Sequence, residues 1–524
     1  MENLETIKKT LIAEIEKRID DKIIENTNAQ LIIKLLNSAE SVNEAILIGE
    51  LGTTYKRTGF HFDKRLEKLT NTIKYLKKND KLSFKDDKTN LKHKLIIGDN
   101  YDALLNLLIE YRNRINVIYI DPPYSKNKMG EFAAMNYDNN LTRDNLLSML
   151  YPRLILAKQL MSEDGLIFCS IDDKNYAYVK CLFDEVFDEK HFINTFVWKK
   201  NSSGKTEKDK YTINTEYVLL YAKTAMYELS EVFKPLAVSS QKLYNKNDND
   251  GRGNYATVSL QKPRDPGPET SYDYIDNNGK IWPCPPKGWR MVYDKIKALE
   301  NDNRLYFEGK TLRVKDYWNE RKSEGKRIDT LWDDLPENNI GTKQLEDIIG
   351  KDKFDNPKPV ELIKRCINIA NKDAIVLDFF AGSGTTGQAV LELNSEDYGT
   401  RQFILCTLNE ITDKTPNGVA LDVTTKRLKR IMTGECYDKS KDFKMAKDGF
   451  EPYGNSLDVY EIETVANFER TIGKTPFDVI DETNYDIPRF QNIKDKIEWI
   501  CNNFEITEKN IESDKEWKNR MEEK

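Results

Sequence analysis

Four short apolar runs that stop abruptly at an aspartate or a glycine constrain this chain more than any other feature. Leu95-Ile96-Ile97 ends in Gly98-Asp99-Asn100, and Val117-Ile118-Tyr119-Ile120 ends in Asp121-Pro122-Pro123-Tyr124. Leu166 to Ile171 ends in Asp172-Asp173, and Ala374 to Leu377 ends in Asp378. Tyr217 to Tyr221 and Gln402 to Cys406 have the same apolar character. Helix-like stretches separate several of them, around Leu146 to Met161 and Asp422 to Met432. Short buried strands alternating with helices are the signature of parallel β-α-β units. The expected fold is α/β, a doubly wound, mostly parallel sheet. In such sheets ligands bind outside the carboxyl ends of the strands, where these aspartates lie.

The rhythm is not continuous. Residues 1–90 read as helical, with apolar residues three and four apart at Leu11, Ile12, Ile15 and again at Leu31, Ile32, Leu35, Leu36. A charged stretch from Lys77 to Lys94 leads into a first β-α segment, 91–225. Residues 226–350 break the pattern with Tyr, Trp, Gly, Pro, Lys and Asn, and read as an inserted, loop-rich module. The β-α pattern returns over 351–435, and 436–524 is polar with scattered aromatics. A chain of 524 residues has room for about three domains at ~150 residues each.

Composition narrows the function classes. With 81 Lys+Arg against 87 Asp+Glu, the net charge of −6 excludes a uniformly basic coat for nucleic acid but allows a local basic groove. No run approaches ~18 apolar residues, so no membrane span is expected. The first residues carry charges every few positions and lack the apolar core of a secretory signal, which points to the cytoplasm. Seven scattered cysteines without a C-x-x-C pair fit a reducing compartment. With three histidines (His61, His93, His191), no metal site is expected.

Two motifs carry chemistry. In the first, Asp378-Phe379-Phe380-Ala381-Gly382-Ser383-Gly384-Thr385-Thr386-Gly387, a strand runs through a glycine turn into a helix. Glycine permits positive φ and close backbone approach, and a helix N-terminus presents free N–H groups to an anionic group such as a carboxylate or phosphate. As a bare pattern, Gly382, Gly384 and Gly387 also satisfy G-x-G-x-x-G, a dinucleotide signal. The bland alternative is a structural glycine turn. The second motif is Asp121-Pro122-Pro123-Tyr124. Its prolines stiffen the backbone and remove two N–H donors, leaving carbonyls to accept. A carboxylate beside a rigid carbonyl forms a two-acceptor fork suited to an exocyclic amino group, and Tyr124 supplies a flat stacking face. The bland alternative here is a proline turn capping a strand.

Together these motifs resemble those of the amino-methylating DNA methyltransferases, in which D/N/S-P-P-Y/F holds the target amino group and F-x-G-x-G cradles S-adenosylmethionine. The catalytic motif precedes the cofactor motif across a large insert, the order of the β class. Gly98-Asp99-Asn100, Ser170-Ile171-Asp172-Asp173, Phe354-Asp355-Asn356-Pro357-Lys358-Pro359 and Asp422-Val423-Thr424-Thr425-Lys426-Arg427-Leu428 are similar to further segments of that family. The last is common in modification (Mod) subunits of type III restriction-modification systems, where Trp289 and Trp332 also have counterparts. The resemblance covers about residues 90–465.

The resemblance implies an S-adenosylmethionine-dependent methyltransferase domain. Its catalytic half is 91–225, its target-recognition insert 226–350 and its cofactor half 351–435. Asp121, Pro122, Pro123 and Tyr124 are the implied catalytic residues. Asp378, Phe380, Ala381, Gly382, Ser383, Gly384 and Thr385 are the implied cofactor cradle, with Lys358 packing there. Asp99 is read either as a cofactor adenine ligand or as a turn-stabilising residue. The family's ribose-gripping acid falls on Thr407-Leu408-Asn409-Glu410, where Asn409, Glu410 or another residue takes the part. Asp172 and Asp173 read as structural or helix-capping. Lys199, Lys200 and Lys205, with Lys208 and Lys210, form a candidate phosphate-contacting loop or an ordinary solvated one.

The implied reaction is methyl transfer from S-adenosylmethionine to adenine N6 in double-stranded DNA, with the base flipped out of the stack. A homodimer and a type III restriction (Res) subunit are the implied partners. Rival readings are cytosine-N4 methylation, an NAD-dependent oxidoreductase built on the three glycines, and a catalytically silent DNA-recognition subunit.

Overall fold

The computed structural model describes residues 4–20, 26–51, 72–124, 142–203, 211–234, 238–264, 267–307, 311–324, 326–466, 474–487 and 490–509. The chain divides into two units, one of Met1–Glu228 with Leu335–Lys524, the other of Leu229–Asp334.

The first unit is built on strands β1 (Thr72–Lys78), β2 (Lys92–Ile97), β3 (Ile115–Ile120), β4 (Met161–Ile171), β5 (Phe192–Lys199), β6 (Thr215–Ala222), β7 (Ile375–Asp378), β8 (Gln402–Thr407) and β9 (Ser456–Ala466). They lie in the order β1-β9-β2-β8-β7-β3-β4-β6-β5. The run from β9 through β4 is parallel, while β1 pairs antiparallel with β9, and β6 with both β4 and β5. The sheet is therefore mostly parallel. Its central strands are buried along nearly their whole length, as in β3 and β8, which is why they read as unbroken apolar runs. Flanking helices include α4 (Asn100–Tyr111), α5 (Thr142–Leu160), α6 (Tyr176–Phe187), α7 (Asn338–Ile349), α8 (Val360–Ile367), α9 (Thr385–Asp397), α10 (Thr425–Thr433) and α11 (Ile493–Lys509). Among the described residues no helix is long and apolar enough to cross a membrane.

Residues 1–90 are not helical throughout. Helices α1 (Leu4–Asp20), α2 (Asn26–Ser38) and α3 (Val42–Leu51) share a small core around Ile15, Ala29, Leu36 and Ala45. Beyond them β1 is a strand, burying Ile73, Tyr75 and Leu76 against the sheet. The polar region after 436 contributes β9 and α11. β1 and β9 support one another across the sheet, with Thr72 opposite Ala466 and Lys78 opposite Tyr460. Neither has the short apolar run that marks the central strands.

The second unit has a three-stranded antiparallel sheet of Tyr255–Ser259, Leu305–Tyr306 and Arg313–Tyr317. Its core gathers Leu260, Tyr274, Trp282, Trp289, Ile296, Leu305 and Leu312. Trp289 is buried with its indole N–H donating to the Tyr272 carbonyl at 2.6 Å. That satisfies the polar end of a large core side chain. Residues 335–350, grouped with the insert on sequence, belong to the first unit. There α7 buries Leu345, Ile348 and Ile349.

Candidate active site

β3 and β7 are parallel neighbours, with Val376 opposite Val117 and Leu377 opposite Ile118. Asp121-Pro122-Pro123-Tyr124 leaves the carboxyl end of one, and the glycine turn leaves the carboxyl end of the other. Both motifs line a single cavity of about 690 Å³, together with Asp99, Phe354, Lys358 and Glu410. The size suits a nucleoside-sized ligand.

On the β3 side, charge is concentrated around Lys358. Its ammonium lies 3.0 Å from each carboxylate oxygen of Asp121 and 3.1 Å from the Tyr124 hydroxyl. The Tyr124 hydroxyl in turn donates to Asp121. Behind Lys358, Glu216 at the start of β6 is 3.3 Å away, and Lys200 donates to the other oxygen of Glu216 at 3.0 Å. Lys358 and Glu216 are each 7% exposed. Burial alone disfavours the ammonium, but Asp121 and Glu216 outweigh it and hold Lys358 above the usual lysine range. Burial likewise opposes the Glu216 carboxylate, yet Lys358 and Lys200 bring it below the usual range. Burial, with Asp121 and Glu216 close by, pushes the Tyr124 phenol well up.

The backbone of the tetrapeptide is held from the side. Asn175 donates through its amide to the Tyr124 carbonyl at 3.0 Å and to Asp172 at 2.8 Å. Asp172 also accepts from the Asn175 backbone N–H at 3.0 Å. Asp172 is thus a turn residue that aims Asn175 at the Asp121–Tyr124 tetrapeptide. Asp173 accepts from the Tyr217 hydroxyl at 3.1 Å.

On the β7 side, Asp378 accepts from the Phe380 N–H at 2.9 Å and from the Thr386 hydroxyl. Burial pushes its carboxyl up to about 7, against these two donors and with nearby Asp121 adding to the rise. The chain then turns through Gly382 (φ 47°) and Gly384 (φ 77°) into α9. Side chains rarely adopt these angles, so glycine is favoured at both positions. Gly387 has a different reason: a Cβ there would sit 2.7 Å from Leu428 and 3.2 Å from Leu405, so it permits close packing of α9.

Arg427 of α10, fully buried, braces the turn from below. It donates to the Thr385 hydroxyl at 2.8 Å, to the Ser383 carbonyl at 3.3 Å and to Gln388 at 2.9 Å. The turn therefore offers helix N–H groups, while Glu410 offers a carboxylate and Asp378 a partly protonated carboxyl. A molecule bearing both a carboxylate and positive charge meets complementary groups here, and Phe354 and Phe380 give apolar surface in the same cavity.

The remaining sequence-read residues sort clearly. Asp99 lines the cavity, but its carboxylate also caps α4 through the Tyr101 N–H at 2.8 Å and pairs with buried Arg153 at 3.0 Å. Next to it, Asn100 donates to the Phe379 carbonyl at 2.8 Å, tying the end of β2 to the glycine motif. Asn409 does not line the cavity; its amide is engaged with the Asn417 carbonyl (2.8 Å) and the Leu421 N–H (3.2 Å), within its own loop. Glu410 does line it. Lys358, read from sequence as packing against a cofactor, is placed on Asp121. Lys199 lies 3.7 Å from Glu337, and Lys200 is on Glu216. Lys205, Lys208 and Lys210 lie outside the described residues.

Glu216, Arg153 and Asn175 gave no sequence signal: Glu216 and Arg153 are polar residues beside apolar stretches, Asn175 ends the polar run Asp172 to Asn175, and all three read as solvated. Arg427 stands in the segment Asp422 to Leu428, but only packing reveals its bracing part. Among the described residues no cluster of three or more His, Cys, Asp or Glu side chains is set to hold a metal.

Residues 115–411 match the family described as DNA methylase, and residues 4–117 match a family known as an uncharacterised conserved protein. The chain is 33% identical to the type III restriction-modification enzyme StyLTI Mod subunit of Salmonella typhimurium over 65% of this chain and 57% of that one. It is 29% identical to the EcoPI Mod subunit of Escherichia phage P1 over 66% of this chain and 63% of that one. The match thus spans less than two thirds of these Mod subunits. With the type II methyltransferase M.KpnI of Klebsiella pneumoniae it is 32% identical over 67% of this chain and 89% of the relative.

Proposed function

The chain belongs to the DNA methylase family, and we propose that it transfers a methyl group from S-adenosylmethionine to adenine N6 in double-stranded DNA, as a type III modification subunit does. One observation carries the reading. The amino-binding tetrapeptide and the glycine turn leave adjacent parallel strands and open onto one cavity. An NAD-dependent oxidoreductase would leave Asp121 to Tyr124 without a task.

S-adenosylmethionine, when bound, supplies an electrophilic methyl group. The glycine turn and the N-terminus of α9 are proposed to hold its carboxylate, Asp378 and Glu410 its positive and hydroxyl-bearing parts, and Phe354 and Phe380 its ring. Asp121 and the Pro122 carbonyl accept the two N–H bonds of the target amino group. That favours a pyramidal nitrogen whose lone pair is less delocalised into the ring; transfer would release the sulfonium as a neutral thioether, and the methylated ammonium, far more acidic than the amine, would lose its proton afterwards. Positioning and preorganised dipoles supply most of the acceleration. Tyr124, fixed through its hydroxyl by Asp121, offers its ring to the extruded base. Flipping costs a few kcal/mol, which contacts with DNA must offset. Residues 229–334 are proposed as the target-recognition module. A restriction subunit and self-association belong to the same proposal and rest on the family resemblance and the Mod relatives.

The test is transfer of labelled methyl from S-adenosylmethionine to unmethylated genomic DNA, followed by digestion to nucleosides. N6-methyladenine supports the proposal, N4-methylcytosine moves it to the other amino acceptor, and an unlabelled product overturns it. Asp121→Ala should lower transfer by about 10²- to 10⁴-fold while cofactor binding persists.

A further inference from the structure

The four charges Asp121, Lys358, Glu216 and Lys200 alternate in sign along one line of contacts at 3.0, 3.3 and 3.0 Å. The methyl-transfer chemistry proposed above uses only the first of them. Lys358 is unusually constrained for a lysine. Pro357 and Pro359 flank it, fixing the backbone on either side. Gly341 of α7 lets that backbone lie against the helix, since a Cβ there would come 2.3 Å from the Pro357 carbonyl. The ammonium is therefore delivered to one place. There it faces Asp121 and Tyr124 from the β3 loop and Glu216 from β6, with Lys200 from the end of β5 beyond Glu216 and Asp378 of β7 near Asp121.

That place is the acceptor fork itself. Asp121 has both oxygens engaged by Lys358, and one of them also by Tyr124. An incoming amino group must share those oxygens with a buried cation. If Asp121 were its single anionic partner, the ammonium would be drawn wholly onto it and would compete with the target. Glu216 supplies the second anion and divides the cation between two carboxylates.

We propose that Glu216 is a positioning residue for the transfer, acting through Lys358: it holds the ammonium between the two carboxylates and so fixes how Asp121 presents its oxygens to the target amino group. The proposal rests on the methyltransferase reading. It has consequences that a purely structural glutamate would not. Lys358 stays charged because two carboxylates outweigh its burial. With one of them neutralised, the burial penalty is less compensated and the proton is lost at lower pH.

Glu216→Gln, Glu216→Ala and Glu216→Asp in the full-length protein test this. For Glu216→Gln, kcat should fall by about 10- to 100-fold while the dissociation constant for S-adenosylmethionine is unchanged. Its pH–rate profile should lose activity on the alkaline side at lower pH than wild type. Glu216→Asp should recover most of the rate and the wild-type profile. In parallel, the pH dependence of acylation of Lys358 by an amine-reactive reagent, read by peptide mass spectrometry, should shift to lower pH in Glu216→Gln. Wild-type rates with superimposable pH and acylation profiles would overturn the proposal. The acylation arm needs no turnover. If wild type methylates no DNA, the functional reading fails, while a shifted acylation profile still supports the Glu216–Lys358 link and an unshifted one overturns it.

Discussion

Arg427 donates to the Thr385 hydroxyl at 2.8 Å from beneath the glycine turn, where it also meets the Ser383 carbonyl and Gln388. Burial brings its guanidinium down to about 9, against a raising influence from Glu392, so it is still charged at neutral pH. A buried charge with these partners fixes the first turn of α9 and adds positive potential where the cofactor carboxylate is proposed to bind. Arg427→Ala should therefore weaken S-adenosylmethionine binding by about 10- to 100-fold and lower the melting temperature. Each lost charged hydrogen bond is worth ~1.5–3 kcal/mol. Arg427→Lys should recover little, because a point charge cannot span Gln388 and Thr385 together. Calorimetric titration with the cofactor and thermal unfolding measure both effects.

Asn409 and Glu410 are adjacent in sequence but differ in where they face. Glu410 lines the cavity, while Asn409 is bonded within the loop that runs to Leu421. Glu410→Ala should cut cofactor affinity by about 10-fold or more, the cost of a charged acceptor to hydroxyl donors. Asn409→Ala should change affinity less and stability more. Equal losses of affinity in the two variants would refute the assignment of the cofactor contact to Glu410.

Legibility in the sequence followed burial. β3, β7 and β8 lie inside the sheet, so their apolar runs announced them, and the sharp stops at Asp121 and Asp378 announced the strand ends that open onto the cavity. β1 and β9 are half-polar strands that depend on each other, and pairing partners some four hundred residues apart leave no local trace. The same distinction separates the site residues. Asp121 and the glycine turn sit in motifs whose local backbone demands proline or glycine. Glu216, Arg153 and Asn175 act by contacts between distant segments, and a polar residue whose partner is far away in sequence looks like any solvated one. Lys358 was visible as part of a segment, but its partner, Asp121, is set by where the turn between α7 and α8 delivers it.

Asp378 gives a prediction with a definite sign. Its carboxyl is raised from 3.8 to about 7 in the folded protein, mainly by burial. Between those values the folded state holds a proton that the unfolded state has lost. The associated stability is complete below about pH 4 and is lost as pH rises through about 7. Asp378→Asn, which cannot ionise, should lose none of it. The melting temperature of the variant relative to wild type should rise from pH 4 to pH 7 and then level off. Melting curves across that range decide it, and a difference independent of pH would contradict the raised value.

Gly341 links a helix to the placement of the Lys358 ammonium. In an exposed helix, Gly→Ala is stabilising by about 1 kcal/mol, because alanine surrenders less backbone freedom. At Gly341 the added methyl would lie 2.3 Å from the Pro357 carbonyl oxygen and 2.8 Å from the Pro359 nitrogen. Both are backbone atoms of a proline-stiffened turn, so neither can swing aside as a side chain would. Such overpacking costs ~1–3 kcal/mol, which outweighs the helix gain. The turn must shift outward and carry Lys358 with it. Gly341→Ala should therefore lower the melting temperature and, more tellingly, reduce methyl transfer by about 10-fold or more, as misplacement of a group that orients the reactants does. Cofactor affinity should change less than transfer does, since the displaced cation lies on Asp121 rather than on the glycine turn. A variant with raised stability and full turnover would show that the turn yields without moving Lys358.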